Sequence, residues 1–418
     1  MATPEVLNHL PNRPENERRP PPRSLVLLTA CCGVFVSFAS VVIYTFGVFL
    51  KPLAAAFGWS RTEVSLAFTL TALTVAACSP FIGRLLDRFP ARRIVIPCTA
   101  IYALTFASLA FLTPHLSHLL VVFFVLGVVG NGTTQLGYAR VVSAWFDRER
   151  GRALAAVMAG SGLGSMIFPP IAQALISALG WRAAYGTLGG IILLLGIPLA
   201  ALFLYEPKAL PPQPSSQSAQ ADTTVWRSIL TFRFLGIVGA LLLFSFATNG
   251  LYAHWAPLLT DRGFPAELAA TVLSVAGLAA LTSKLSTGYL LDRFVAGRAV
   301  AGILAACAAG FLAVIYGHTT WLAFTAAVLV GAGMGAESDA VPFLLTRYFG
   351  LARFSELYAY TWCFYAVAGA LGPLVMGRMF DRTGSYRAVL FISFLMIVAA
   401  AIVFASLPRY KTKHAALL

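Results

Sequence analysis

Charge is what this chain has least of. Asp, Glu, Lys and Arg make up 11% of its 418 residues, against about 25% in ordinary soluble proteins, while 59% are hydrophobic. That balance excludes a soluble domain and makes the lipid bilayer the solvent. The ten-residue stretches of alternating polarity that build a membrane barrel are missing, which excludes a barrel. Cysteine is sparse and chemically unarranged: Cys31, Cys32, Cys78, Cys98, Cys307 and Cys363 lie inside apolar runs, without the spacing of a disulfide framework or a metal site. No P-loop, H-E-x-x-H, C-x-x-C or convergent nucleophile and base is present, so neither an enzyme nor a bound cofactor or metal is expected. Residues 1 to 23 carry Arg13, Arg18, Arg19 and a run of three prolines but no apolar core, which predicts a disordered tail and not a cleaved signal peptide.

What remains is a succession of apolar runs of about 20 residues, the length of a membrane-spanning helix. Twelve are predicted, at about 25–50, 61–86, 93–112, 116–145, 150–178, 182–205, 230–260, 266–291, 296–316, 320–348, 354–380 and 384–407. The fold class is therefore an all-α membrane protein of twelve helices. A polar stretch with Pro207, Pro211, Pro212 and Pro214 separates the sixth run from the seventh. The chain divides into a tail (1–23), a first six-helix bundle (24–205), a linker (206–229), a second bundle (230–407) and a short tail (408–418).

The net charge of +14 does not imply nucleic acid, because the basic residues occupy short loops at helix ends. Loops on the side of both termini and the linker hold 21 Lys or Arg, and the other side holds 7. Positive loops stay inside, so termini and linker are expected in the cytoplasm, and the protein in the cell inner membrane.

The chain repeats itself. Gly83-Arg84-Leu85-Leu86-Asp87-Arg88-Phe89, followed by Arg92 and Arg93, returns as Gly288-Tyr289-Leu290-Leu291-Asp292-Arg293-Phe294, followed by Arg298; Gly377-Arg378-Met379-Phe380-Asp381-Arg382 is a third, looser copy. Ser37-Phe38-Ala39 with Tyr44 matches Ser245-Phe246-Ala247 with Tyr252, Trp145-Phe146 matches Tyr348-Phe349, and Pro169 matches Pro373. Two pseudo-symmetric six-helix halves with the same orientation follow, and such halves place a substrate path along their shared axis near the bilayer midplane.

The loop at Gly83 and its copy at Gly288 resemble the signature of the major facilitator superfamily between its second and third helices, and the likeness covers nearly the whole chain. Phe46-Gly47-Val48-Phe49 with Pro52 and Phe57-Gly58-Trp59-Ser60-Arg61, and Trp145-Phe146 with Arg150-Gly151-Arg152-Ala153-Leu154-Ala155, are similar to the bacterial monocarboxylate transporter and oxalate/formate antiporter branch. The resemblance implies a secondary transporter of a small organic anion, here a monocarboxylate such as lactate or pyruvate, moved with a proton by alternating access. Its partners would be that anion, the proton and the bilayer, with the protein a monomer. An organic-anion antiporter or exporter not driven by protons is the alternative within transport, and a non-transporting membrane receptor the alternative outside it.

Asp87, Arg88, Asp292 and Arg293 are expected to form a cytoplasmic gate. A carboxylate at a helix end accepts from helix N-terminal amides and pairs with guanidinium groups across the seam. The competing reading is a charged end that sets topology only. Lys284 lies inside the eighth helix, where an ammonium needs a watery cavity or a counter-charge unless it reaches the interface. In the family this chain resembles, a cation in that helix binds the substrate carboxylate. Glu337 and Asp339 lie near the middle of the tenth helix, about 200° apart around it. Glu337 is expected to carry the coupled proton, and Asp339, the second coupling candidate, to be a structural partner of Arg347; for both, a fixed ion pair with Lys284 or Arg140 is the competing reading. Tyr44, Asn131, Asn249 and Tyr252 complete the candidate substrate site with neutral groups able to orient a carboxylate. His254 is expected to be interfacial or structural.

Overall fold

A computed structural model describes residues 21–146, 149–206, 231–349 and 354–408, without the side chains of Asp87, Asp292, Ser338, Asp339, Phe354 and Ser355. The predicted linker and the tails lie almost wholly outside the described residues, as do three proposed functional side chains, those of Asp87, Asp292 and Asp339.

Among the described residues, eleven helical stretches are long and apolar enough to cross a membrane. One of them, Arg150–Phe203, runs for 54 residues, about 80 Å at 1.5 Å per residue and far more than a bilayer core. It is broken at Gly180, whose φ of 80° and ψ of 162° belong to no helix and are rarely open to a residue with a Cβ. Twelve spans result, as the sequence predicts. We number them α1 (Arg23–Phe57), α2 (Arg61–Arg88), α3 (Ala91–Ser108), α4 (Leu116–Trp145), α5 (150–179), α6 (181–203), α7 (Phe232–Asp261), α8 (Ala266–Arg293), α9 (Ala296–Tyr316), α10 (Thr320–Phe349), α11 (Phe354–Thr383) and α12 (Arg387–Ser406). The break falls between the expected ends at 178 and 182.

Three boundaries differ from the apolar pattern. The first helix continues through Pro52 to Phe57 because Leu53 is buried and Phe57 stacks on Trp59 at 4.5 Å, so packing holds the last turn. Gly58 then ends it at φ 70°. At the other corner α11 runs on to Thr383 and α12 begins at Arg387, the chain turning at Gly384 with its amide bonded to the Phe380 carbonyl.

Two helices of the first half are interrupted at mid-length, which hydropathy did not signal. In α1 the chain leaves α geometry at Val36 and passes through a wide π turn at Ala39–Ile43. In α4 a tight turn at Asn131–Thr133 leads into Thr134 at φ −75°, ψ 174°. Freed backbone groups at membrane depth need partners, and short hydroxyls supply them. The Phe38 amide donates to Thr133 Oγ1 at 3.1 Å, Ser40 Oγ donates to the Val34 carbonyl at 2.7 Å and Thr134 Oγ1 to the Asn131 carbonyl at 2.8 Å. Their second-half counterparts, α7 and α10, run without a break.

The repeat is visible in bonds as well as residues. Trp145 Nε1 donates to the Tyr205 carbonyl and Tyr348 Oη to the Pro408 carbonyl, both at 2.6 Å and both across 60 residues. An indole and a phenol thus tie the end of the fourth helix of each half to the end of its sixth.

The halves meet through α2 against α11, α5 against α8 and α1 against α7. Polar links across this seam gather at the end remote from the termini. Asp261 pairs with Lys51 at 2.8 Å and Arg61 at 2.6 Å, Thr69 Oγ1 donates to the Ala370 carbonyl at 2.7 Å, and Ser177 Oγ to Glu267 at 2.9 Å. The protein is latched at that end.

Candidate functional site

Tyr44 of α1 and Tyr252 of α7 meet on the seam, ring centroids 5.3 Å apart and nearly perpendicular. They occupy the same position in the two repeats. Close approach of their helices is permitted by Gly47, where a Cβ would lie 2.8 Å from the Ala253 carbonyl oxygen. Tyr252 is 4% exposed, and its hydroxyl is buried without a hydrogen-bond partner. A phenol in that situation is costly unless something else satisfies it.

One turn before Tyr252, Asn249 is half-buried and donates to the Ser245 carbonyl at 3.0 Å and to Ser245 Oγ at 3.3 Å. Both side chains also meet Tyr365 of α11, and Ser245 Oγ donates to the Tyr365 carbonyl at 2.9 Å. The Tyr365 hydroxyl in turn faces the carboxyl of Glu337 on α10. Glu337 also edges a small void inside the second half, lined mainly by apolar residues such as Phe244, Val300, Leu304 and Phe404. One chain of side chains therefore runs from Glu337 through Tyr365 to Asn249 and, one turn on, to the tyrosine pair at the seam. Tyr365 is not among the candidates that the sequence singles out: α11 carries seven aromatics, and nothing in their spacing sets this one apart.

Lys284 lies half-buried on α8 with no hydrogen bond or ion pair among the described residues. It is not paired with Glu337. Arg140 is engaged elsewhere, its Nε 3.5 Å from Glu206, whose carboxylate also accepts from the Ala91 amide at the start of α3. The competing reading of Glu337 as half of a fixed pair with either cation therefore does not hold.

Asn131 is placed differently from the other candidates. It is 9% exposed, its Nδ2 donates to the Val75 carbonyl at 2.5 Å and its Oδ1 accepts from Ser79 Oγ at 3.2 Å. Both ends of its amide are occupied between α4 and α2. Arg88 and Arg293 are exposed, each over a ring of its own segment, Phe89 at 5.9 Å and Tyr289 at 4.4 Å. His254 is fully buried at the latched end, its ring within hydrogen-bond distance of Ser65, Tyr386 and the Pro373 carbonyl. Its partners belong to α2, α11 and the turn before α12.

The profile of the Major Facilitator Superfamily matches residues 30–373, and the chain belongs to that family of membrane transporters. It is similar to human Monocarboxylate transporter 11, 27% identical over 383 residues that cover 88% of this chain and 79% of the relative. It is also similar to the MFS-type transporter YhjX of Escherichia coli strain K12, 25% identical over 339 residues that cover 79% and 82%. A crystal structure of a bacterial homolog to the human lysosomal transporter Spinster, in an inward-facing and occupied conformation, shares the fold with a TM-score of 0.72 at 16% identity, over 93% of this chain and 96% of that one.

Proposed function

We propose that this transporter carries a small monocarboxylate together with a proton, by alternating access, across the inner membrane of the cell, with both termini in the cytoplasm. The observation that carries the reading is the line from Glu337 through Tyr365 and Asn249 toward Tyr252, whose hydroxyl is buried and unpartnered. It joins a carboxyl able to hold a proton to a polar group at the seam where the halves separate. Lys284, half-buried and without a protein partner among the described residues, is the cation the substrate carboxylate would meet. The similarity to a protein named as a monocarboxylate transporter supports the substrate class.

Charge explains why a proton would travel too. An anion entering beside Lys284 and a proton on Glu337 leave the loaded site with less net charge to carry through the low-dielectric core. Asp339 is the second coupling candidate on α10, while Asp87, Arg88, Asp292 and Arg293 would close the cytoplasmic end in the opposite state. The test is uptake of labelled lactate-like acids into proteoliposomes with and without an inward proton gradient. Accumulation that follows the gradient is expected. Uptake of no such acid would end the substrate reading, and uptake indifferent to the gradient, but driven by a counter-anion, would replace symport by exchange.

A further inference from the structure

The third, looser copy of the repeated motif, Gly377 to Arg382, lies at the end of α11, on the side away from the other two copies. There it is engaged with the start of α2 in the other half. Helix α2 begins with a capping box: Glu63 accepts from the Ser60 amide at 2.8 Å, and Ser60 Oγ accepts from the Glu63 amide at 3.2 Å. That box leaves the amides of Arg61 and Thr62 to find other acceptors. Asp381 takes both, at 3.1 Å and 2.8 Å, and also accepts from the Thr62 hydroxyl. The neighbouring Phe380 ring lies 3.6 Å beneath the Arg61 guanidinium, which reaches past it to Asp261 and Tyr386.

The motif glycines differ in how closely they are packed. At Gly377 an added Cβ would lie 2.9 Å from the Arg61 carbonyl oxygen, so only glycine lets α11 lie this close to the start of α2. At Gly83 and Gly288 an added Cβ would meet nothing within 4 Å. The motif glycine is closely packed in the third copy and faces open space in the first two.

We infer that Gly377 to Arg382 is the lock of the remote end: Asp381 completes the cap of α2 across the seam when that end is closed and gives it up when the end opens. The motif then serves both ends of the molecule, its first two copies docking in the opposite state. This rests on the reading of the protein as an alternating carrier and is independent of what it carries.

The test uses purified protein in detergent with Ala256, buried on α7 one turn before Thr260, replaced by cysteine as a reporter of remote-end opening. Its rate of maleimide labelling is measured, and the same chain without the reporter subtracts the native cysteines. Asp381→Asn is expected to raise the rate about fivefold, and Gly377→Ala to raise it also. Gly288→Ala, which faces open space here and would hinder docking only in the opposite state, should not raise it. If Asp381→Asn does not fold, Thr62→Val, which removes one hydroxyl contact, should still raise the rate about twofold. Labelling unchanged by both Gly377→Ala and the Asp381 or Thr62 variant overturns the lock. Failure of transport with any acid, in contrast, would leave these rates as they are and count only against the proposed substrate.

Discussion

Tyr44 and Tyr252, the same position of the two repeats, meet edge to face across the seam at 5.3 Å, and only one of their hydroxyls is both buried and unpartnered. Leaving a buried hydroxyl unsatisfied costs about 1–3 kcal/mol. Tyr252→Phe removes that cost while keeping the ring contact, so the thermal midpoint of the substrate-free protein should stay level or rise. Substrate should lose one charge-assisted hydrogen bond, about 1.5 kcal/mol, and KM for uptake should rise roughly tenfold. A midpoint several degrees lower would show that the hydroxyl serves the fold and would remove Tyr252 from the site.

Glu337→Gln keeps the shape of the side chain and its neighbour Tyr365 but cannot carry a proton. Counterflow exchange of labelled against unlabelled acid should continue at near the wild-type rate, and accumulation driven by an inward proton gradient should vanish. Tyr365→Phe leaves the carboxyl in place and breaks the line to Asn249, so it should slow both modes without uncoupling them. Loss of exchange in Glu337→Gln would point to folding or closure instead of coupling.

These two variants also mark what the sequence could disclose. The repeat, the twelve spans and the break between 178 and 182 follow from hydropathy and residue type, because lipid allows few alternatives to a helix of fixed length. The interruptions of α1 and α4 do not, since hydropathy is blind to a backbone break whose groups are satisfied by Ser40, Thr133 and Thr134. The bonds of Asn131 to Val75 and Ser79 are hidden for the same reason: a mid-helix amide has the same composition whatever it faces. Asp381 was legible as a motif letter but not as a cap, because its partner lies 319 and 320 residues away.

Lys284→Ala removes a cation with no protein partner among the described residues, so the empty protein should lose little stability. Stabilisation by a saturating acid, seen as a shift of the thermal midpoint, should disappear. Lys284→Arg keeps the charge and should retain a reduced shift, because the guanidinium offers a planar fork in place of a point charge. If the alanine variant is stabilised by acid as wild type is, the substrate carboxylate lies elsewhere.

His254 holds the latched end together from inside. Its Nε2 is 2.8 Å from the Pro373 carbonyl oxygen, which can only accept, so that nitrogen carries the hydrogen in the neutral ring. Nδ1, at 3.0 Å, is then the acceptor for the Tyr386 hydroxyl, whose oxygen receives the Arg61 guanidinium. One ring thereby joins α7, α11 and the turn before α12, with Ser65 of α2 at 3.1 Å bringing in the other half. His254→Ala leaves the Tyr386 O–H without its acceptor and takes a donor from the Pro373 carbonyl at a buried site, a loss of about 1–3 kcal/mol. The thermal midpoint should fall by about 5 °C or more. His254→Gln, with an amide able to donate to Pro373 and a carbonyl able to accept from Tyr386, should recover part of the loss. A glutamine variant no better than alanine would mean that ring volume, and not this chain of hydrogen bonds, secures the end.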